Sequence, residues 1–552
     1  MVTFDEDKSK RKVGELLKKE EEELVQLLGQ KYNIEYIDLS AVSVNTDALR
    51  LVDEHKAAAA KVAAFAIVDK KVKLAARNPT DQKTAEIAED LKRAGYEPVI
   101  LIASTASLEK AWKSYKDLSF AYETKSGSLE IANEEISTLV SKAKSLPETQ
   151  NLLKDILSQN KSYRVSRMLE TIIAGAISTG ASDIHIEPEQ EYIRLRYRLD
   201  GVLADVINFD NATFSLLLSR IKLLSGLKLN VKKGAQDGRF SVKVNQDEIE
   251  IRTSVLPGAY NESIVLRLLN PKSIAVPLEE LGIHTKLLNQ ILKEIDKPNG
   301  MVLTTGPTGS GKTTTLYAFL KKVYGPGVKI ITIEDPIEYH LEGITQTQVN
   351  DQGYNFLEGL RSALRQDPDI IMVGEIRDGE TAGIAINSAL TGHLVFSTLH
   401  TNDAAGAFPR LLDLGVNSRV VGSAINITLA QRLVRKLCPH CKKEIENKNP
   451  KVATVLDSVI DKSEIPQTAK LWQAVGCNEC NQTGYKGRVG IYEGILLDTE
   501  VNKIVEMGGS SQEIKTAALP QGLLTMAQDG VIKALQGVTS IEELERVIEI
   551  SK

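Results

Sequence analysis

The stretch Gly306-Pro-Thr-Gly-Ser-Gly-Lys312-Thr313 has the spacing G-x-x-x-x-G-K-[ST] of a phosphate-binding loop. An apolar run at 301–304 precedes the loop, and a helical pattern at 314–323 follows it. This strand–loop–helix order is the context in which the motif binds phosphate. Because the motif and its surroundings agree, an incidental glycine-rich turn is a poor alternative. The stretch predicts a nucleotide-binding α/β domain.

The residue types of the loop indicate how it would bind a nucleotide. Glycines let backbone N–H groups curl around phosphates, and the start of a helix adds partial positive charge. We expect Lys312 to reach the β and γ phosphates and the Thr313 hydroxyl to hold Mg²⁺. The predicted nucleotide-binding residues of the loop are Gly306, Pro307, Thr308, Gly309, Ser310, Gly311, Lys312, Thr313 and Thr314.

Polar side chains follow three further apolar runs, at 329–333, 369–373 and 394–398. Short apolar strands that alternate with helices predict a parallel sheet. Glu334 and Asp335 follow the first run, Glu375 the second and His400 the third. A single carboxylate at a strand end is usually a solvated one. Ligands of open parallel sheets bind at the carboxyl ends of the strands, so together these side chains predict one site.

Length and composition limit the class of protein. At roughly 150 residues per domain, 552 residues predict three or four domains. Hydrophobic residues make up 42% of the chain, enough for packed cores, and argue against a disordered or collagen-like chain. The 68 basic and 73 acidic side chains leave a net charge of −5, which argues against nucleic acid as the main partner.

Hydropathy predicts a cytoplasmic chain. No apolar run reaches the ~18–20 residues of a membrane-spanning helix; the run at 57–68 is the longest and Lys61 interrupts it. The charged stretch at 1–12 lacks the apolar core of a signal peptide.

Changes of pattern along the chain predict its domains. The predicted boundaries are an N-terminal α/β domain at 1–117, a linker at 118–154, an α+β domain with an antiparallel sheet at 155–275, and the nucleotide-binding domain at 280–552, which contains a cysteine-bearing subdomain at 436–490 and a helical region at 498–552.

Four longer motifs resemble one family: TIEDPIEY at 332–339, GLRSALRQDPD at 359–369, VGEIRD at 373–378 and TGHLVFSTLHTND at 391–403. They resemble the ATPases of type II secretion and type IV pilus assembly, strongly over 155–552 and weakly before it. The resemblance implies an α/β fold: a RecA-like P-loop ATPase core with a parallel sheet, preceded by an α+β (PAS-like) domain and a small N-terminal α/β docking domain, with a tetracysteine zinc subdomain.

The resemblance also implies roles for individual residues. Glu334, Asp335 and Glu338 would lie near Mg²⁺ and water, and Glu375 would be the general base. His393 and His400 would lie near the nucleotide. The arginines that match family arginines around the phosphates or the subunit interface are Arg361, Arg365 and Arg377, with Arg252 and Arg267 closing over the nucleotide from the second domain and Arg488 following the zinc module.

Members of this family work as hexameric rings that hydrolyse ATP. The resemblance therefore implies ATP and Mg²⁺ as ligands, and partners in an inner-membrane platform protein and a membrane-anchored docking protein. The chain would attach peripherally to the inner face of the cytoplasmic membrane through them. Some members bind cyclic di-GMP through an Arg-Leu-Gly segment near the N-terminus; residues 13–17 read Val-Gly-Glu-Leu-Leu, so we expect no strong binding here.

The four cysteines form two Cys-x-x-Cys pairs, Cys438 with Cys441 and Cys477 with Cys480, separated by 35 residues. Two such pairs predict a closed, structural Zn²⁺ site with four thiolate ligands. A redox dithiol or ordinary cytosolic cysteines are the alternatives. Retraction motors of the family typically lack such an insertion, whereas assembly and secretion motors often have it.

Two other functions compete with a pilus or secretion motor. The loop alone would allow a nucleic-acid motor, but the acidic balance, the histidine-bearing motif at 391–403 and the predicted zinc module argue against one. A non-catalytic paralogue would not need intact Lys312 and Glu375. The choice between pilus assembly, type II secretion and a competence filament stays open.

Overall fold

The structure is a computed structural model. It describes residues 21–550 except 33, 40–41, 43, 46–47, 50, 69, 114, 116–121, 124–127, 131–132, 159–163, 245–246, 270–275, 351–352, 447–448 and 467–469. Two compact units make up the chain: Met1–Tyr122 with Ser158–Met168, and Glu123–Leu157 with Leu169–Lys552. In the described part of the chain, no helix is both long and apolar enough to span a membrane.

The first unit contains a three-stranded sheet. Its strands are β1 (Val62–Val68), β2 (Lys71–Ala76) and β3 (Glu97–Ile102), and β2 pairs antiparallel with β1 and parallel with β3. Its helices cover 21–32, Glu54–Ala60, Gln82–Arg93 and Thr105–Lys113. The helix Gln82–Arg93 buries Ile87 and Leu91, one turn apart, against this sheet. The residues 13–17 that bear on cyclic di-GMP lie outside the described residues.

The second unit begins with a mainly antiparallel sheet. Its eight strands lie in the order β4-β5-β9-β10-β11-β6-β7-β8; β5 and β9 are parallel, and the neighbours from β9 to β8 are antiparallel. Burial alternates along β7, so one face packs on the core and the other meets solvent. The strands are β4 (Tyr122–Glu123), β5 (Ser128–Glu130), β6 (Asp183–Pro188), β7 (Ile193–Leu199), β8 (Val202–Phe209), β9 (Gln236–Val244), β10 (Asp247–Pro257) and β11 (Glu262–Leu269), and the helices are Asn133–Lys142, Leu146–Ser158, Arg164–Thr179 and Asn211–Leu224.

A seven-stranded sheet follows in the order β14-β13-β15-β16-β12-β17-β20. The first six strands are parallel, and β20 pairs antiparallel with β17. The predicted parallel sheet is therefore present. Its strands are β12 (Gly300–Thr305), β13 (Ile330–Glu334), β14 (Thr345–Gln348), β15 (Ile370–Val373), β16 (Leu394–Leu399), β17 (Ile425–Leu437) and β20 (Tyr485–Leu496), and a separate pair is formed by β18 (Lys443–Glu446) and β19 (Lys470–Gln473).

Helices cover both faces of this sheet. Met301 and Leu303 of β12 belong to the core on one face, whereas Val302 belongs to the core on the other. This explains why the central strands read as unbroken apolar runs rather than as alternating ones. The helices are Thr285–Ile295, Lys312–Val323, Phe356–Leu364, Gly379–Leu390, Ala407–Asp413, Ser418–Ala424, Pro450–Asp457, Thr499–Glu506, Ser511–Ala518, Met526–Leu535 and Ile541–Val547.

Candidate nucleotide site

The phosphate-binding loop joins β12 to the helix Lys312–Val323. Gly306 has a φ of 148°, and a Cβ there would lie 2.7 Å from the Gln431 carbonyl oxygen, so no larger residue fits. Gly311, at φ 91°, caps the helix. The side-chain oxygens Ser310 Oγ and Gln431 Oε1 are buried and have no hydrogen-bond partner among the described residues. Free N–H groups at a helix start and an unpartnered hydroxyl in the loop fit a phosphate ligand.

Lys312 folds back over the loop. Its Nζ donates hydrogen bonds to the carbonyl oxygens of Gly306, at 2.8 Å, and Pro307, at 3.2 Å. Burial lowers the pKa of Lys312, and the Arg432 charge adds to this, whereas the Glu375 carboxylate opposes it. The ammonium group thus lies in the loop, close enough to Glu375 to be affected by its charge.

Glu375 lies just beyond the end of β15 and is held by two side chains. Arg377 forms an ion pair with Oε1, and His400 Nε2 lies 3.2 Å from Oε2. His400 reaches it because β15 and β16 are parallel neighbours, with Val373 paired to Ser397. The Glu375 side chain keeps 15% of its surface exposed, toward the cleft that the loop borders. An anchored carboxylate with an open side can orient and deprotonate a water molecule.

Glu334, at the end of β13, is enclosed instead. Its carboxylate accepts hydrogen bonds from Thr332 Oγ1 at 2.5 Å, from Gln346 Nε2 at 3.0 Å and from the Tyr317 hydroxyl. The residue is 2% exposed, and burial raises its pKa. Because its acceptor positions are occupied by these donors, Glu334 is suited to fixing the loop that follows β13. Asp335, the next residue, is exposed at the cleft.

A cleft of about 900 Å³ brings these residues together with the antiparallel domain. From the predicted site it contains Pro307–Thr314, Glu334, Asp335, Glu338, Glu375, Arg377, His400 and Arg267, and it also contains Arg488. From the antiparallel domain it further contains Asp183, Arg198 and the turn at Asp200 and Gly201. The structure therefore gathers most of the predicted residues around one space.

The arginines of the antiparallel domain are held by carboxylates. Arg267 Nε donates to Asp183 Oδ1 at 2.9 Å. Burial would raise the pKa of Asp183, but hydrogen bonds from Arg267 and Ser182 and the charges of Arg267 and Arg198 bring it below its usual value. Arg252 reaches the loop after β13, where its Nη2 donates to the Ile337 carbonyl oxygen at 2.8 Å.

Three predicted residues lie away from this cleft. His393 precedes β16, whereas His400 follows it, so the two histidines lie at opposite ends of a six-residue strand, roughly 20 Å apart at 3.3 Å per residue. His393 Nδ1 lies 3.1 Å from the Ser388 carbonyl oxygen. The structure brings His400, but not His393, to the cleft. Arg361 pairs with Glu358, and Arg365 donates to Ser362, on the exposed side of the helix Phe356–Leu364.

Sequence reasoning missed three cleft arginines, Arg198, Arg432 and Arg546. Arg432 donates to the carbonyl oxygens of Gln431 and Asn402, each at 3.0 Å. No strand end marks Arg432, because β17 continues past it. Arg432 borders the loop because β17 pairs with β12, Ala430 with Thr305, and this register is seen only in the structure. Arg546 lies in a C-terminal helix with no motif.

The four cysteines come together in the structure. Their sulfur atoms all lie within 4.8 Å of one another. The separations from Cys438 to Cys477 and from Cys441 to Cys480 are each 3.8 Å. A tetrahedral site with Zn–S bonds of about 2.3 Å requires sulfur atoms about 3.8 Å apart. The cluster therefore fits a zinc ion.

Backbone N–H groups surround the cluster. Gly476 N donates to Cys441 Sγ at 3.3 Å, and Gly484 N donates to Cys480 Sγ at 3.2 Å. Burial raises the pKa of Cys438 and Cys441. For Cys480, burial is outweighed by hydrogen bonds from the backbone of Cys477 and Gly484, which lower the pKa. Donors of this kind support thiolate ligands, as the outer contacts of metal sites commonly do.

Comparisons with known proteins agree with these observations. The family model described as "Type II/IV secretion system protein" matches residues 158–546. The chain belongs to this family. A second model, the MshEN domain, matches residues 32–119. Membership confirms the resemblance drawn from the four motifs and the prediction that the chain is an ATPase.

Some of the individual relatives are named as type IV pilus ATPases and others as type II secretion proteins. The type IV pilus assembly ATPase PilB of Myxococcus xanthus (strain DK1622) is 37% identical over 98% of this chain and 94% of its own length. The type II secretion system protein E of Klebsiella pneumoniae is 44% identical over 74% of this chain and 80% of its own length.

A solved structure shares the fold. The X-ray structure of the Legionella pneumophila ATPase DotB has a TM-score of 0.51 and 23% identity, and the match covers 71% of this chain and 97% of that one. Together with the family match, it confirms the predicted α/β ATPase fold with a preceding N-terminal domain.

Proposed function

We propose that this chain is a hexameric motor that hydrolyses ATP to drive pilin polymerisation in type IV pilus assembly. The observation that carries the choice of machine is the extent of the match to the M. xanthus pilus ATPase, which includes the N-terminal region. The match to the K. pneumoniae secretion protein extends over 408 residues only. A motor's N-terminal region is where a machine-specific partner would dock.

The cleft supports the chemistry as follows. The loop amides and Lys312 bind the phosphates of ATP, and the Thr313 hydroxyl holds Mg²⁺, which supplies charge that offsets the phosphates. Glu375 accepts the proton of a water molecule as its oxygen attacks the γ phosphorus. The bond from that phosphorus to the bridging oxygen then breaks, leaving ADP and phosphate. Arg377 and His400 hold the Glu375 carboxylate during this step.

Arginines outside the loop would couple hydrolysis to movement. Arg267 borders the cleft, and Arg252 contacts the loop after β13, so a nucleotide bound there would draw the antiparallel domain toward the ATPase core. Arg361 and Arg365 are exposed, which suits contacts with a neighbouring subunit of the ring. We further propose that the ring acts on an inner-membrane platform protein and docks through the N-terminal domain at the inner face of the cytoplasmic membrane.

Type II secretion is the second candidate. The K. pneumoniae secretion protein is 44% identical over 408 residues, 74% of this chain. Secretion ATPases would use the same cleft. The sulfur geometry of the cysteine cluster supports a structural Zn²⁺ in either machine.

The test replaces Glu375 by Gln in the native host. Surface filaments are imaged while secreted protein is assayed, and Glu380→Gln, an exposed carboxylate in the following helix, serves as the control. Loss of filaments with secretion intact is the expected result. Loss of secretion with filaments intact would assign the chain to type II secretion, and no change in either would overturn the motor role.

A further inference from the structure

The strand β12, which leads into the phosphate-binding loop, has different neighbours on its two sides in the sheet. On one side lie β16 and β15, whose ends carry His400 and Glu375. On the other side lies β17, which contributes Arg432 and Leu433 to the cleft wall. With the γ-phosphate near Glu375 for hydrolysis, the ribose and base of a bound nucleotide would extend toward the β17 side.

The C-terminal helix Ile541–Val547 packs against β17 and reaches this side of the cleft. Tyr485 and Ser540 are joined by a hydrogen bond of 2.8 Å between their hydroxyls, and Leu437 N donates to the Val538 carbonyl oxygen at 2.8 Å. The helix is therefore anchored on both strands of the β17–β20 pair. Its last residues, Arg546 and Val547, border the cleft.

Arg546 is held by a buried carboxylate. Its Nε and Nη2 donate to the two oxygens of Glu543, at 2.8 and 2.6 Å. Glu543 has no exposed side-chain surface and also accepts hydrogen bonds from the backbone N and Nε of Arg435, at 3.0 and 2.9 Å. Burial alone would raise the pKa of Glu543, but its hydrogen bonds with Arg546 and Arg435 lower it. The carboxylate thus fixes a guanidinium group whose side chain is still 45% exposed.

Two branched apolar side chains border the same cleft as Arg546. Val547 and Leu433 border the cleft with it, and a Leu433 methyl lies 3.4 Å from where a Cβ of Gly311 would be. Leu433 therefore lies beside the start of the phosphate-binding helix. A cleft bordered by both a flat cation and branched apolar side chains suits a planar aromatic ring, which stacks on guanidinium and packs on methyl groups.

We propose that Arg546 binds the base and ribose end of the nucleotide, with Glu543 as its positioning residue. This proposal rests on the proposed function, because ATP bound with its γ-phosphate at Glu375 sets which end faces β17. It assigns to the C-terminal helix a direct part in nucleotide binding.

The test compares Arg546→Ala with Arg546→Lys, Glu543→Gln and Glu545→Gln in the full chain. Glu545 is the matched control, since it lies on the same helix as Arg546, pairs with Lys451 of the helix Pro450–Asp457 and does not border the cleft. Steady-state hydrolysis gives kcat and KM for ATP. Inhibition by tripolyphosphate, which can occupy the loop but has neither base nor ribose, reports on the phosphate contacts alone.

Arg546→Ala should raise KM for ATP about tenfold, the effect of losing one charged contact, with kcat and tripolyphosphate inhibition within about twofold of wild type. Glu543→Gln should raise KM in the same direction by a smaller factor, and Arg546→Lys, which keeps the charge but not the flat group, should not restore KM. Glu545→Gln should leave KM unchanged. An unchanged KM in Arg546→Ala, or equal weakening of ATP and tripolyphosphate, would overturn the proposal.

A failure of the proposed ATPase function can be distinguished from a failure of the base contact. If the wild-type chain binds nucleotide but does not hydrolyse it, calorimetry with ADP replaces KM, and a weaker affinity in Arg546→Ala would still support the base contact. If Arg546→Ala does not fold, Arg546→Lys decides by the same comparison of ATP with tripolyphosphate.

Discussion

The nucleotide cleft and the cysteine cluster both bring together polar side chains from distant parts of the chain. In the cluster these side chains face one another, whereas in the cleft they face an open space. In the cluster, four thiols face a common centre and lie within 4.8 Å of one another. In the cleft, Glu375 and Lys312 face an open space of about 900 Å³. A ligand set that closes on itself can only stabilise, whereas an open one can bind and transform a substrate. Changes to the two regions should therefore have separable effects.

The largest effect is expected from Glu375→Gln. The amide cannot accept the proton of water, so kcat for ATP should fall by about 10²–10⁴-fold, the usual contribution of a general base. Nucleotide affinity and the thermal midpoint should stay close to wild type, since the loop is intact. Stopped-time hydrolysis, ADP calorimetry and thermal unfolding measure the three quantities. A fall in kcat matched by Glu380→Gln would remove the distinction between cleft and surface carboxylates.

Cys438→Ser should mainly affect the stability of the chain rather than its nucleotide affinity. We expect loss of bound zinc and faster proteolysis between the two cysteine pairs, because one missing thiolate opens the tetrahedral site. Nucleotide affinity should change far less than stability, since the cysteines do not border the cleft. Metal analysis and limited proteolysis provide the measurement. Wild-type protein that purifies without zinc would contradict the metal assignment itself.

The two histidines of the motif at 391–403 allow a residue at the cleft to be compared with one that lies away from it. His400→Ala should lower kcat by about tenfold, because it removes the contact that helps orient Glu375, of the order of one hydrogen bond to a charged group. His393→Ala should lower kcat much less, because its ring contacts the Ser388 carbonyl at the other end of β16. Hydrolysis assays on both variants measure the two losses of kcat. Equal losses would mean that His393 acts at a site that one chain alone does not form.

The smallest effect concerns pH. The pKa of Asp183 is lowered in the folded chain, so its ionised form stabilises the fold at pH values above its unfolded pKa, about 3.8. That contribution is lost as the pH falls below this value and the carboxylate is protonated. The difference in thermal midpoint between wild type and Asp183→Asn should therefore be present at pH 7 and shrink near pH 3. A difference that is constant over this range would mean that Asp183 acts by packing alone.

Local patterns predicted much of the cleft. The loop, the helix after it and the apolar strands of the parallel sheet could be placed within a few residues, because each depends on neighbours in the chain. Glu334 and Glu375 had the same signature, an acid after an apolar strand. Their difference arises from Tyr317 and Gln346, which close over Glu334 from a helix and from β14.

Other features carried no local signal. Arg546 enters the cleft because Glu543 binds Arg435 of β17, 108 residues earlier in the chain. His393 and His400 differ in this respect, because the predicted strand at 394–398 already lay between them, although their shared motif implied that both lie near the nucleotide. Contacts between distant residues depend on how elements pack, which sequence spacing does not encode.

The phosphate-binding loop and the two Cys-x-x-Cys pairs could be identified from the amino-acid sequence, because they are residue types at short, fixed separations. The class of ATPase followed from the resemblance of the four longer motifs to one family. Only the packed structure shows which carboxylate stays open to water, and that a C-terminal arginine borders the cleft. The physical reason is that an open or an enclosed side chain is defined by the atoms packed around it, and in this cleft those atoms come from strands and helices far apart in the chain.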